Sequence, residues 1–282
     1  MSTIAVGLIG ATGLLGSPLL KALSAQPIKV VILHRPTSKL PPTDAEKRVF
    51  DISGNETDIH KALEGIDILI NATSKTDHAT DLAFLSHLST LPKPLKAYIP
   101  SDFSLNYTPD EVEGVELIEG KEALIEHARE LGIPTTLVHN GVIEPLALTP
   151  FTGIDLATST LTLYPGAEEK TLSITSPAYV AAAVAEIVQH PNLKPLYTVV
   201  EYKVTGREIA TALEKAGKKA VIKPFTEAEI EAVRASGGLG SLSAAVRVKW
   251  GKGEWPEPGA YTPAAPRGNI NLTVQSALAR SA

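Results

Sequence analysis

Gly7-Leu8-Ile9-Gly10-Ala11-Thr12-Gly13-Leu14-Leu15-Gly16 is the stretch whose reading decides the fold. The apolar run at 4–9 reads as a buried strand, and Gly10, Gly13 and Gly16 follow it at three-residue steps into an apolar helical segment at 14–25. In a strand-to-helix turn of this kind the first glycine permits the tight bend, the second lets the backbone approach a ligand, and the third lets helix pack on strand. The helix N-terminus then faces whatever anion the turn cradles, which makes Gly10, Thr12, Gly13, Leu14, Leu15 and Gly16 candidates for a pyrophosphate contact. The same turn also occurs as plain packing without a ligand; its place directly after the first strand favours the dinucleotide reading.

Outward from this turn, short β-branched runs at 30–33, 49–50, 66–70, 97–99 and 135–138 alternate with segments of helical period at 57–64, 77–90 and 119–131. Alternation of that kind predicts an α/β fold, a Rossmann-type parallel sheet with helices on both faces. Beyond Asn140 the pattern changes to a stretch punctuated by Pro145, Pro150 and Pro165, an apolar helix at 177–189, and helical segments at 205–216 and 226–235. Thr226 and Glu229 have the spacing of a capping box. From Ser236 glycine, proline and alanine dominate, which reads as a loop-rich lid or a loose terminus, with Trp250 and Trp255 favouring a packed surface.

Composition excludes several kinds of function. The 282 residues hold 31 acidic and 26 basic side chains, a net charge of −5, which opposes broad electrostatic binding to nucleic acid or a membrane surface. Residues 110–130 alone carry eight acids against two bases, so the rest of the chain is nearly neutral and does not oppose an anionic ligand. The absence of cysteine removes disulfides, thiolate metal sites and cysteine nucleophiles, and the seven histidines form no ligand-spaced pair, so no metal is expected. The apolar opening lacks a basic n-region, and no stretch approaches a membrane span, so the expected location is cytoplasmic.

The second strand ends in His34-Arg35-Pro36-Thr37-Ser38-Lys39, with no acid before Asp44. An acid at this point suits a ribose 2′-hydroxyl, whereas Arg35 and Lys39 with the hydroxyls of Thr37 and Ser38 suit a 2′-phosphate, so NADP(H) is preferred over NAD(H). Arg35 and Lys39 also read as ordinary solvated cations. Asp51, after the third strand, either lies near the adenine or caps the next turn.

The ordered set Gly10 to Gly16, the basic end of the second strand, Tyr98-Ile-Pro-Ser-Asp-Phe103, Gly120-Lys121-Glu122, Gly132-Ile-Pro-Thr-Thr-Leu-Val138 with Asn140-Gly141, and Pro150-Phe-Thr-Gly-Ile-Asp155 resembles the NmrA-like and isoflavone reductase-like group of atypical short-chain dehydrogenases, fungal members in particular. The resemblance implies an NADP-binding domain over 1–150, to which the helix at 177–189 returns, and a smaller substrate-binding region over 151–282. It also implies catalysis by a lysine, Lys121. The alternative Tyr-x-x-x-Lys pair is absent, since none of the seven tyrosines has a lysine four residues later.

Lys121 has support of its own. It shares a helical stripe with Leu124, Ile125, Ala128 and Leu131, and an ammonium on an apolar face needs a polar cavity or a path to solvent. Thr73 and Ser74 after the fourth strand are expected to line the cofactor groove, alongside Lys121. Ser101 and Asp102 lie at the carboxyl end of the fifth strand, where open α/β sheets bind ligands, and they read equally as contacts to substrate or as turn chemistry. Phe103, Asn140, Gly141, Val142 and Phe151 complete the expected substrate side, with Trp250 and Trp255 as further apolar walls; His139 reads as a packed histidine without an acid partner.

These features point to an NADPH-dependent reductase of a small aromatic or conjugated carbonyl or enone compound, acting as a monomer or homodimer. Two other readings keep the fold: an NADP(H)-sensing regulator without catalysis, and a non-redox cyclase or isomerase in secondary metabolism.

Overall fold

In the computed structural model, which describes residues 3–73, 77–253, 255 and 257–281, the first strand β1 (Ala5–Ile9) is buried along its whole length. Its neighbours are β2 (Lys29–His34) on one side and β4 (Ile68–Asn71) on the other, and with β3 (Glu46–Val49) and β5 (Ala97–Ile99) they form a parallel sheet in the order β3-β2-β1-β4-β5. Strand order reverses at β1, and the crevice at the carboxyl ends of β1 and β4 is where such sheets bind ligands. The connecting helices are α1 (Gly16–Ser24), α2 (Glu56–Leu63) and α3 (His78–Ser89). Asn55 and Asp77 start the latter two, accepting from the backbone of Asp58 and Thr80 at 3.0 and 2.9 Å.

A single turn, α4 (Pro109–Val112), and a longer helix, α5 (Glu116–Glu130), lead to β6 (Leu137–His139). The Tyr98 amide donates to the Pro134 carbonyl at 2.7 Å and the Thr136 amide to the Tyr98 carbonyl at 2.9 Å, so β6 continues the sheet beyond β5. The chain then runs through β7 (Val142–Ile143), α6 (Glu144–Ala147), β8 (Ile154–Asp155), β9 (Thr160–Leu163), β10 (Thr171–Thr175), α7 (Pro177–Ile187), β11 (Leu196–Thr198), β12 (Tyr202–Thr205), α8 (Gly206–Lys215), β13 (Val221–Pro224), α9 (Glu227–Ala235), α10 (Leu239–Lys252) and α11 (Ile270–Ser281). β11 returns to pair in parallel with β6, while β10 pairs with β7 and β12, and β9 with β8 and β13.

The period of two in the central strands explains the two faces. Val6, Leu8, Val30 and Ile32 point to one side, where α1 and α7 cover them with Leu19, Leu23, Val180 and Val184. Ile9, Val31 and Leu33 point to the other, against Ile59, Leu63, Phe84 and Leu85. Each buried aliphatic side chain of this kind contributes about 1.5–3 kcal/mol. A third core gathers Leu105, Val142, Ile154, Leu161, Leu172, Val204, Ile209, Leu213, Val246 and Trp250, and so ties the chain beyond β6 into one packed unit.

Two expectations are corrected. The third strand is Glu46–Val49 and not 49–50, because as the sheet's edge it is built from exposed charged residues and does not read as an apolar run. The described residues beyond Ser236 are not mainly loop: α10 and α11 form there, with irregular chain at 257–269 between them, and Trp250 is buried with its Nε1 donating to the Lys170 carbonyl at 2.9 Å. Leu242, Val246 and Trp250 recur every four residues, a helical stripe flanked by the glycines at 237, 238, 240, 251 and 253.

Candidate functional site

The glycine turn is shaped by steric need. Gly10 has φ of 80°, and a Cβ there would stand 2.6 Å from the Ala72 carbonyl oxygen at the end of β4. A Cβ on Gly16 would run into the Gly10 carbonyl, so α1 approaches the strand as closely as a backbone allows. Gly13 donates to the Gly10 carbonyl at 2.9 Å, whereas the amides of Thr12, Leu14 and Leu15 have no acceptor among the described residues. No side chain caps the N-terminus of α1 and no acid lies in its first turn, so these donors face outward with the helix dipole behind them. The arrangement is a cradle for an anion.

At the end of β2 the chain turns, Ser38 donating to the Arg35 carbonyl at 2.9 Å, which leaves Arg35, Thr37 and Lys39 exposed and Ser38 half-buried. Asp51 takes the second of its two expected roles in geometry, capping its own turn by accepting from the Ser53 amide and hydroxyl at 3.0 and 2.7 Å. Those bonds, with the charge of Arg35, hold its carboxyl below the usual range. Thr73 is tied to Asn71 Oδ1 through its hydroxyl at 2.7 Å; Ser74 lies outside the described residues. Ser101 donates its hydroxyl to the Thr73 carbonyl and so joins the ends of β4 and β5 beside the cradle.

Asp102, only 8% exposed, is the centre of a second cluster. Its Oδ1 lies 3.7 Å from Lys121 Nζ and accepts from the Ser104 hydroxyl at 2.9 Å, and its Oδ2 lies 3.6 Å from His139 Nε2. Burial pushes the Asp102 carboxyl up, but His139, the Lys121 charge and Ser104 outweigh it and hold the group below the usual carboxylate range. Lys121 sits on the face of α5 that carries Ile118, Ile125 and Ala128 and is half-buried, so its ammonium has both a buried counter-ion and an open side. The expectation that His139 has no acid partner is overturned, because the ends of β5 and β6 lie side by side and bring it to Asp102.

The remaining expected residues separate. Asn140 is fully buried; its amide donates to the Ser104 carbonyl at 2.8 Å and its side chain to the Gly141 carbonyl at 3.0 Å, fastening the end of β6 to the segment after β5. Gly141 turns with φ of 72° against Ser173. Val142 points into the third core, Phe151 packs on that core's margin, and Phe103 packs on the margin of the first. Trp250 is core, which leaves Trp255 as the tryptophan that lines a cleft with His139, Gly141 and Ser173.

Sequence reasoning also missed a buried ion pair. Lys249 on α10, 1% exposed, donates to both oxygens of Glu111 on α4 at 2.8 and 2.6 Å, with its ammonium 5.7 Å from the ring centroids of Tyr107 and Trp255. Glu111 also closes a capping box with Thr108 at the start of α4. Among the described residues no helix is long and apolar enough to cross a membrane, and no three acidic or histidine side chains cluster as metal ligands.

A family model described as the NmrA-like family matches residues 1–244. No curated protein matches in sequence. Among solved structures, isoflavone reductase superimposes with a TM-score of 0.80 at 15% identity, covering 98% of this chain and 99% of that one. Leucoanthocyanidin reductase from Vitis vinifera in complex with NADPH gives 0.78 at 16% identity, with coverage of 98% and 99%. An NADPH-dependent quinone oxidoreductase from Escherichia coli, complexed with NADPH, gives 0.69 at 18%, covering 97% and 99%.

Proposed function

This chain belongs to the NmrA-like family, and from that premise we propose that it is an NADPH-dependent reductase of a small aromatic or conjugated carbonyl or enone compound. The observation that carries the proposal is the pairing of an uncapped glycine cradle, whose Cβ positions are filled by neighbouring backbone, with a half-buried lysine on a buried carboxylate. The cradle suits a pyrophosphate, with Gly10, Gly13 and Gly16 permitting the approach and the amides of Thr12, Leu14 and Leu15 as donors. Arg35, Thr37, Ser38 and Lys39 would offer a 2′-phosphate cations and hydroxyls, Asp51 would flank that end, and Thr73 would line the groove between.

Bound NADPH would supply the hydride. Lys121 holds an ammonium proton near the substrate oxygen that gains charge, and protonates or polarises it. Asp102 holds that ammonium in place. Ser101, Phe103, Asn140, Gly141 and Phe151 would shape the substrate side, with Val142 supporting it from the core; residues 1–150 with α7 would hold the dinucleotide and 151–282 the substrate. The solved relatives named with NADPH support the cofactor. The charged lysine on an apolar stripe favours an enzyme over a sensor, which has no need of that placement.

NADPH consumption by the full chain, followed across aromatic enones, quinones and aldehydes, tests the reading. Turnover of at least one class supports it. Firm NADPH binding with no consumption across the panel would defeat it in favour of a sensing or non-redox role.

A further inference from the structure

Asp102 meets two neighbours with the two oxygens of one buried carboxylate. Oδ1 accepts from the Ser104 hydroxyl at 2.9 Å and lies 3.7 Å from Lys121 Nζ, while Oδ2 lies 3.6 Å from His139 Nε2. The last two separations are within reach of charge attraction but outside hydrogen-bond range, so neither neighbour captures the carboxylate. An ammonium on a flexible stem, 42% exposed, with that charge to itself would close to about 2.8 Å.

The backbone fixes the ring and leaves the lysine free to move. His139 closes β6, where the Val199 amide donates to its carbonyl at 2.7 Å, and the next residue, Asn140, donates its amide to the Ser104 carbonyl at 2.8 Å. The Asp102 amide donates to the Pro100 carbonyl at 2.7 Å. Ring and carboxylate are thus set by two strand ends that are tied together, and both are buried. Lys121 arrives from α5 on a long side chain. The residues three and four positions away on that helix are Leu117, Ile118, Leu124 and Ile125, so no charge on its own helix face competes for it. The Tyr107 phenol also feels the Asp102 charge; burial and the carboxylates of Glu111 and Asp102 push it well above its usual value, so it stays neutral.

We propose that His139 is a positioning residue for Lys121 and acts through Asp102: by sharing the carboxylate it steadies the ammonium beside the site without letting the two close into a tight pair. A lysine clamped in such a pair holds its proton more firmly and turns it away from a substrate oxygen, so the sharing keeps Lys121 available as a donor. The ring itself transfers no proton. Its meaning for turnover rests on reading Lys121 as the proton donor of the proposed reduction.

Acetylation of Lys121 by acetic anhydride in the full chain, without nucleotide and at mildly alkaline pH, is followed by digestion and mass spectrometry. His139→Phe, which keeps a ring and removes the donor, is expected to slow acetylation by about threefold or more, because Asp102 then closes on Lys121 alone. His139→Gln, which restores an N–H donor, should return the rate to within about 1.5-fold of wild type. In an Asp102→Asn background, His139→Phe should change the rate by less than about 1.5-fold, the non-additivity expected of residues that act through one shared partner. An unchanged rate in His139→Phe, a slowing that His139→Gln does not relieve, or the same slowing with Asp102→Asn present overturns the inference. Where His139→Phe does not fold, His139→Leu, smaller and also without a donor, takes its place. NADPH consumption is followed on the same variants: slowed acetylation with no turnover of any compound sinks the reductase reading and leaves this one standing, and unchanged acetylation with turnover intact in the wild type does the reverse.

Discussion

The ammonium of Lys121 lies 3.7 Å from the buried carboxylate of Asp102, which in turn lies 3.6 Å from the imidazole of His139. One carboxylate thus serves a cation on the helix before β6 and a ring at the end of β6. That relation gives an apolar-stripe lysine a fixed counter-ion, and it sets the first expected outcome. Lys121→Met, which keeps the aliphatic stem, is expected to lower kcat by about 100-fold or more while NADPH affinity changes little, as befits loss of a general acid. Near wild-type turnover by Lys121→Met would exclude the residue from the chemistry.

Asp102→Asn removes the charge that both neighbours face. Because Lys121 is half-exposed and partly screened, the cost is expected to be about 1–2 kcal/mol at neutral pH, read as a lower denaturation midpoint. The pH dependence has a definite sign. A carboxyl held below its usual value of 3.8 contributes stability that is complete above that value and is lost as pH falls through the folded-state value. The gap between wild type and Asp102→Asn should therefore hold from neutrality down to about pH 4 and close below it; urea melts at stepped pH check this, and a gap that widened in acid would contradict it.

Cofactor selection is expected to reside at the end of β2. Wild type should be stabilised more by NADPH than by NADH at equal concentration, since only the state that binds the ligand is favoured. Arg35→Ser with Lys39→Ser should lower the NADPH effect while leaving that of NADH nearly unchanged. Thermal shifts with both nucleotides separate the outcomes, and equal shifts in wild type would remove the case for Arg35.

Gly16→Ala should be costly for a steric reason, because its Cβ has no room beside the Gly10 carbonyl and neither α1 nor β1 has slack. A loss of about 1–3 kcal/mol in stability is expected from the overpacking, with weaker NADPH binding as the cradle opens. Gly120→Ala is the control, since a Cβ there meets nothing within 4 Å. Calorimetry on the two variants provides the check.

The Lys249–Glu111 pair is expected to behave as a buried ion pair does. Lys249→Met alone strands Glu111 and should cost about 3–5 kcal/mol, whereas Lys249→Met with Glu111→Leu should recover much of that. Recovery stops short of the wild type because Glu111 also caps α4, accepting from the Thr108 amide at 2.8 Å. Chemical denaturation of the single and double variants measures both.

The sequence by itself determined the central strands, the helices that cover them and the glycine turn, because these follow from periods of 2 and 3.6 residues and from steric limits that act within one turn of chain. It also determined that Lys121 shares a face with Ile125 and Ala128, which is a local fact of helix geometry. The tail misled because Gly240 and Gly251 imitate a loop; in the structure a Cβ on either would strike backbone, at 2.7 Å from the Val233 oxygen and 2.6 Å from the Pro165 oxygen, so these glycines permit close packing of a helix. Only the tertiary structure decided what Lys121, His139 and Lys249 face. Asp102 reaches His139 because parallel crossovers set the ends of β5 and β6 side by side, and Glu111 meets Lys249 from 138 residues away in the chain. Such pairings depend on how whole elements pack, and no spacing along the chain encodes them.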